Sequence, residues 1–459
     1  ANGMDVKAAE ITEDSLVAAE DTNVGNESVD IQQQEPVEIS ELETTENNDL
    51  SKSSESITVD ESIAEDILAT QADTAVVVGT VSDYLTAKGD AKLYNINLPA
   101  GVYLQAQLTT PANADLDYDL YLLDAEGNIL TGSDYYTYIN GTAGTLPEAL
   151  GYITSGDTAT YYLYVLASEG GSVSESFTLD YSVSTACDSY EIDESVRQAL
   201  AFTYGAGGAY IESRNLSSPI DNDWYVITVP SSRIYDKLKI SATTASTNTC
   251  SVEVYQNVAS EGYQMKRVGS GNTISVSSGK YYIRVSNAKT MENFDDLDIQ
   301  NYKLSITPIL KATGIVITDL KGSEGLNKVV NYPGYGAHFR TQGSGTLTVY
   351  GVLTATDSST GVTYAVGGEQ INGLYYSPAW EANNTSANAI RRGTGTTDSS
   401  GKFEIDISLP PGIGVYSYYG STSTHYFDIC GVSVSPSDDS SISASETIFH
   451  LAYTMYHPF

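Results

Sequence analysis

The stretch DLDYDLYLLDAEGN, residues 115–128, sets carboxylates at Asp115, Asp117 and Asp119 and adds Glu126 eleven positions after the first. Positions 1, 3, 5 and 12 are where a calcium-binding loop places oxygen ligands, so the chemistry on offer is capture of a hard divalent cation. Such a loop needs glycine at its sixth position for the sharp turn, and Leu120 stands there. The alternation of Leu116, Tyr118, Leu120 and Leu122 reads instead as a strand, apolar side toward a core and acids toward water. Successive acids on one strand face lie about 7 Å apart, too far to ring one ion. What remains for calcium is a surface site joining the first acids, Asp115 and Asp117, to a neighbouring loop. Asp221 and Asp223 before Trp224, and Asp295, Asp296 and Asp298 in ENFDDLDIQN, are candidates of the same kind.

Other chemistry is thinly provided for. The four histidines, His338, His425, His450 and His457, form no H-E-x-x-H pair, and no serine sits in a G-x-S-x-G elbow. No glycine loop opens a helix to hold phosphate. The expectation is a protein without catalytic activity or a resident organic cofactor. Tyrosine is the conspicuous residue, 35 against 8 phenylalanines. The clusters YYTY, GLYYSPAW and VYSYYG lie in or beside turns. Tyr135, Tyr136, Tyr138, Tyr375, Tyr376, Trp380, Tyr418 and Tyr419 can therefore offer aromatic faces to a glycan or a surface protein. The competing reading is that these are strand residues filling alternate faces. Arg391 and Arg392 stand out on an acidic chain and could dock an acidic segment, such as the tail of another copy. Of the three cysteines, Cys187 and Cys250 fall in one candidate domain and could form a disulfide, leaving Cys430 alone. Spacing does not decide the geometry.

The elements that must position these residues are strands. AVVVGTV (75–81), KLYNINL (92–98), VYLQAQL (102–108), YDLYLL (118–123), TYYLYVLA (160–167) and ESFTLDYSV (175–183) alternate in the strand manner between turns. DESVRQALAF (193–202) is the main helical exception. A repeat follows. DAKLYNINLPAG (90–101) matches DNDWYVITVPSS (221–232), ATYYLYVLAS (159–168) matches GKYYIRVSNA (279–288), and ESFTLDYSV matches NYKLSITPI (301–309), in one order. Two copies of a β-domain are expected, at 72–185 and 186–310, with a third β-domain at 311–459. The fold class is all-β, a tandem of jelly-roll or immunoglobulin-like sandwiches behind an acidic extension.

The two copies resemble bacterial pre-peptidase C-terminal domains. The resemblance is carried by Asp90, Leu93, Tyr94, Pro99, Gly101, Asp117, Asp119, Tyr121, Gly127, Asn128, Tyr161, Tyr162 and Val165. In the second copy it is carried by Asp188, Tyr190, Glu191, Asp221, Asp223, Trp224, Tyr225, Pro230, Gly279, Tyr281, Tyr282 and Val285. The second copy departs where CSVEVYQNVASEG replaces the aspartate-bearing strand. The third unit, with VYGVLTATDSSTG and TTDSSGKFEIDISLPPG, resembles transthyretin-like or Cna-B-type surface modules. These resemblances imply secretion, and spacer or binding duties rather than catalysis. Cna-B-type modules often carry a lysine–asparagine crosslink. Lys402 is placed for one, with no pattern that fixes a partner.

Residues 1–71 stand apart. Up to residue 70 there is no aromatic, and 19 acids face only Lys7 and Lys52. Low hydrophobicity with like charge leaves such a segment disordered, or ordered by a partner. The whole chain carries net charge -37, which repels phosphate backbones and anionic lipid heads, so nucleic acid is not an expected partner. No apolar run reaches the roughly 18 residues that span a bilayer, so membrane insertion is not expected either. The reading is a secreted or cell-surface bacterial structural or adhesive protein, with self-assembly into a filament through the extension as one mode. The alternative is a carbohydrate- or calcium-binding accessory module of a secreted hydrolase system.

Overall fold

The computed structural model describes residues 76–458, with short breaks at 114, 134–135, 140–141, 144–145, 246–249, 260–263, 271, 295–298, 300, 323–327, 333–335, 343–344 and 420. The stretches 16–17 and 55–56 are described as well. Nearly all regular structure is β. The described chain divides into two compact units, one holding 76–231 and 237–308, the other 232–236 and 309–458.

The first unit contains two sandwiches with one strand order. In the first sandwich, Val76–Asp83, Phe177–Ser184, Tyr103–Thr109 and Glu148–Ile153 form one sheet. Ala91–Leu98, Ala159–Glu169, Asp117–Leu123 and Ile129–Ser133 form the other, with Glu55–Ser56 parallel along its outer edge. The second sandwich repeats both orders. Ala209–Asn215, Asn301–Leu310, Tyr235–Thr244 and Thr273–Ser275 make one sheet, and Asn222–Val229, Gly279–Asn287, Cys250–Asn257 and Gln264–Ser270 make the other. Register repeats too: Ile96 faces Tyr161 in the first, and Ile227 faces Tyr281 in the second, the same pairs that align in sequence.

Alternation explains the first core. Leu104, Ala106, Leu108, Leu179 and Val183 from one sheet meet Tyr94, Ile96, Leu98, Leu120, Leu122, Leu163 and Val165 from the other. Each large side chain removed from water contributes about 1.5–3 kcal/mol. Leu116, Tyr118, Leu120 and Leu122 are buried as the alternation requires. The opposite face of that strand is not simply wet, however. Tyr121 and Leu123 are buried, and so is Asp119, which accepts a hydrogen bond from the Tyr121 hydroxyl. The strand runs between two neighbours, and the Tyr121 ring covers Gly132 next door, where a Cβ would meet it at 2.4 Å. Asp115, before the strand, and Glu126, after it, are exposed, while Asp117 is half-buried.

Residues 193–202 are not a helix. One 3-10 turn, Val196–Gln198, precedes the short strand Leu200–Ala201. Val196 and Ala199 enter a core with Trp224, Val226, Tyr255, Met265 and Tyr282, so packing overrides the local pattern. The hairpin Tyr136–Ile139 and Thr142–Ala143, which leaves the first sandwich, extends the second sandwich's sheet. Tyr136 pairs with Gln264 and Tyr138 with Lys266. These two tyrosines, expected at a turn, thus belong to a strand; Tyr135 lies outside the described residues.

In the second unit, Gly345–Thr356 is flanked by Gly314–Gly322 on one side and by Lys402–Leu409 and Thr363–Ala365 on the other. Leu16–Val17 runs parallel to Thr363–Ala365. A larger sheet runs Lys328–Tyr332, Gly336–Gln342, Ala444–Tyr456, Ser423–Pro436, Gln370–Tyr376 and Ile390–Thr396, with Tyr416–Tyr419 also on Ser423–Pro436. The DSSGK turn behaves as its residues suggest: Asp398 accepts from the amides of Ser400 and Lys402, and Gly401 takes φ 73.

Candidate metal centre

At the entrance to the second sandwich the chain reads DSYEIDES, residues 188–195, and further on the DND of 221–223 leads into the strand Asn222–Val229. The fold brings both together. Glu191, Glu194 and Asp221 hold carboxylate oxygens within 4.8 Å of one another, and so do Glu191, Asp193 and Asp223. Asp193, Glu194, Asp221 and Asp223 are buried, while Glu191 keeps partial exposure.

Each acid is held from a defined direction. The Tyr103 hydroxyl, from the first sandwich, donates to Glu194 at 2.5 Å and to Glu191 at 2.8 Å. The Gln105 amide donates to Glu194 at 2.5 Å, and the Asn222 backbone N–H reaches its other oxygen at 3.1 Å. Asp221 accepts from the Ser217 hydroxyl at 2.8 Å and from the Ser217 backbone amide. The buried cation among them is Arg214, which meets Asp188 at 2.6 Å, Asp193 at 2.5 Å and Asp223 at 2.9 Å. Its Nε donates to the Tyr225 hydroxyl, and the Tyr302 hydroxyl donates to Asp223.

Arg214 does not balance the cluster. Taken as ionised carboxylates, Glu191, Asp193, Asp221 and Asp223 each keep one buried oxygen that no donor reaches. Glu191 lies in hydrogen-bonding reach of Asp193, and Glu194 of Asp221, contacts that need a shared proton or a cation between the oxygens. Burial first, then the neighbouring carboxylates, push Glu191 and Glu194 well above the usual range. Burial likewise raises Asp193 and Asp223 against the pull of Arg214. Burial lifts Asp221 to about 6 even though Ser217 works the other way. Burial also disfavours the Arg214 cation, but Asp193 and Asp223 outweigh it and hold its pKa well above the usual value. The two trios, which share Glu191, offer the kind of oxygen donors that could hold a hard cation. All-oxygen, carboxylate-rich ligation fits calcium, which accepts six to eight oxygens in flexible geometry.

Asp221 and Asp223, expected at a surface, are at the centre of this buried group. Asp115 and Asp117 belong to neither trio. Asp295, Asp296 and Asp298 lie outside the described residues. Glu191, Asp193, Glu194 and Arg214 escaped the spacing search because their partners come from a different stretch of chain. Four acids within seven residues, 188–194, were the available signal.

The remaining candidates scatter. Cys187 and Cys250 are free thiols, not a disulfide. The ladder sets Cys250 opposite Asn287, and burial raises both thiols, Cys250 to about 12. Tyr375 is fully buried, its hydroxyl 2.9 Å from His450 Nδ1 and 3.1 Å from Cys430 Sγ, so it offers no face to a ligand. The Tyr376 hydroxyl donates to Glu381, and the Trp380 indole donates to the Pro411 carbonyl at 2.8 Å. Arg391 bonds Asn388, and Arg392 is exposed. Tyr418 and Tyr419 are exposed. His425 Nε2 sits 3.3 Å from Ser423 Oγ, but its other nitrogen faces the Thr454 hydroxyl at 2.9 Å, where a hydrolytic triad would put a carboxylate. Lys402 is exposed at the start of its strand.

No family model matches the chain. Over 74 residues it is 36% identical to the uncharacterized protein YlqB of Bacillus subtilis (strain 168), covering 16% of this chain and 46% of that protein. The chain thus spans about half the length of that curated relative. Among solved structures, the CUB1-EGF-CUB2 domains of rat MASP-1 cover 50% of this chain and 97% of their own, at 10% identity and TM-score 0.16. The CBM22-1-CBM22-2 tandem of Paenibacillus barcinonensis Xyn10C covers 52% and 94%, at 12% identity and TM-score 0.16. The Aeromonas hydrophila g-type lysozyme inhibitor PliG covers 25% and 88%, at 11% identity and TM-score 0.16. Scores this low carry no argument about function. Among the described residues, no helix is long and apolar enough to cross a membrane.

Proposed function

We propose that the chain is a non-catalytic, secreted or cell-surface structural or adhesive protein. In this reading two pre-peptidase C-terminal-like sandwiches and a transthyretin-like or Cna-B-like module form its body, and the second sandwich takes up calcium in the Glu191–Asp223 cluster. The observation that supports this is the convergence of five carboxyl groups, four of them buried, whose mutual contacts need protons or a cation between the oxygens. A bound dication would supply the missing positive charge and fix the entrance loop. Isothermal titration with calcium, alongside melting curves in calcium and in EDTA, tests it. One or two bound ions and a higher Tm with calcium are expected. Absence of both heat and Tm shift would reduce the cluster to a network of protonated carboxyls.

The titration carries a pH signature. A carboxyl whose folded pKa is raised binds its proton more tightly folded than unfolded. Without calcium, stability therefore rises as pH falls from above 6 toward 3.8, the interval set by Asp221. Calcium competes with those protons, so its affinity and its Tm increment should shrink across the same interval.

A second part of the reading is self-assembly through the extension. Its support is that Leu16–Val17 and Glu55–Ser56 both lie as parallel strands against sheet edges, the pairing by which a strand is also donated between subunits. Electron microscopy of the chain with and without residues 1–70 tests it. Filaments that vanish on truncation are expected, and discrete monomers in both samples would end the idea.

A further inference from the structure

We infer that the short strand Tyr416–Tyr419 is a self-association edge, pairing with the same strand of a second copy. The strand bonds to Ser423–Pro436 on one side, with Tyr416 opposite Phe427 and Tyr419 opposite Thr424. Among the described residues, no strand pairs with its other side. That leaves a row of backbone donors and acceptors open to another strand.

Three observations select a second copy as the occupant. The first is that this edge, though short, lacks the charges and bulges that guard other edges. Within the same unit, the edge strand Gly314–Gly322 has a bulge and carries Asp319 and Lys321, and Ile390–Thr396 carries Arg391 and Arg392. Tyr416–Tyr419 has no charge, no proline and no bulge. The second is charge. Residues 410–427 and 451–459 contain no Asp, Glu, Lys or Arg, on a chain of net charge -37. Two copies repel almost everywhere, and here nothing opposes their approach. The third is apolar cover on both faces of this end of the sheet. Tyr416 stacks on Phe427 at 5.9 Å and Tyr426 on Tyr453 at 4.5 Å, while Tyr419 and Tyr456 remain more than 70% exposed. A partner strand would extend both aromatic surfaces. A sugar-binding platform would instead want carboxylate or amide groups beside the rings to read hydroxyls, and these two segments supply hydroxyls and two histidines. An antiparallel pairing about a two-fold axis is isologous, so it closes at two copies.

The test is sedimentation velocity on the full chain across a wide concentration range, in calcium and in EDTA, at low salt, where assembly through the extension is weakest and a two-copy step stands apart from filaments. Wild type should pass from monomer to dimer in both buffers, whether or not the metal cluster binds calcium. Ser417→Glu and Ser417→Lys each set like charges close together across the axis and should weaken dimerisation at least about tenfold. An equimolar mixture of the two variants should regain it, which a merely disrupted fold would not. Wild type that stays monomeric throughout, or variants that dimerise as tightly as wild type, would overturn the inference. So would a monomer whose tyrosine fluorescence is quenched by xylohexaose or cellohexaose, which would assign the surface to carbohydrate.

Discussion

Arg214 shows how much one residue can carry in an acidic site. It is fully buried, touches three carboxylates and holds a tyrosine hydroxyl, yet it offsets only part of the negative charge around it. Replacing one partner of a buried ion pair leaves the other uncompensated, at a cost of about 3–5 kcal/mol. Arg214→Met should therefore lower the melting temperature steeply in EDTA. Calcium should recover part of the loss, because the cation supplies the charge the guanidinium did. An unchanged Tm in EDTA would mean that the carboxyls are already neutral and that Arg214 is incidental. Tyr375 makes the opposite point: a residue that looked available for binding is held inside by Cys430 and His450.

Strands here are fitted to one another by glycine facing an aromatic ring. Gly79 lies opposite Tyr181, Gly132 opposite Tyr121, and Gly351 opposite Phe403. In each pair the ring occupies the space a Cβ would need. Gly351 is the least forgiving case, since a Cβ there would meet not only the Phe403 ring at 2.2 Å but also the Val316 carbonyl at 2.3 Å. The ring could turn away, but the carbonyl belongs to the neighbouring strand and cannot. Gly351→Ala should cost about 1–3 kcal/mol, visible as a lower denaturation midpoint with unchanged slope. Gly361, whose Cβ would meet nothing within 4 Å, is a poor control because its φ of 73 strains any side chain. Gly431 is the better one, with open space and ordinary φ.

At the scale of the molecule, charge governs what the parts can do. The extension's 19 acids against two lysines resist packing on a body that is itself acidic. Assembly through it should therefore strengthen with salt, because screening shortens the range of repulsion to about 8 Å at physiological ionic strength. In electron micrographs, filaments should lengthen as salt rises. Assembly held by ion pairs, for instance through Arg391 and Arg392, would dissolve instead. The calcium effect should be confined to the first unit, whose cluster it joins. Melting curves should show one transition moving with EDTA while the other stays.

How much was legible follows from the range of the forces involved. Two-residue alternation is local, so the strands at 92–98, 118–123 and 160–167 could be read directly, and the repeat could be read down to the register of Ile96 and Ile227. The turn at Asp398–Lys402 is local in the same way: its hydrogen bonds close within five residues. The helical reading of 193–202 failed because Val196 and Ala199 answer to Trp224 and Tyr255, far away in the chain. The cluster of Glu191, Asp193, Glu194, Asp221 and Asp223 was half visible as acids and invisible as a site. Its oxygens converge only when the entrance loop folds across the start of the strand Asn222–Val229 and against Tyr103 and Gln105. Sequence alone determined that the chain is built of strands, acidic outside and repeated once. Only tertiary structure decided which acids leave water, because burial and mutual approach depend on residues distant in the chain.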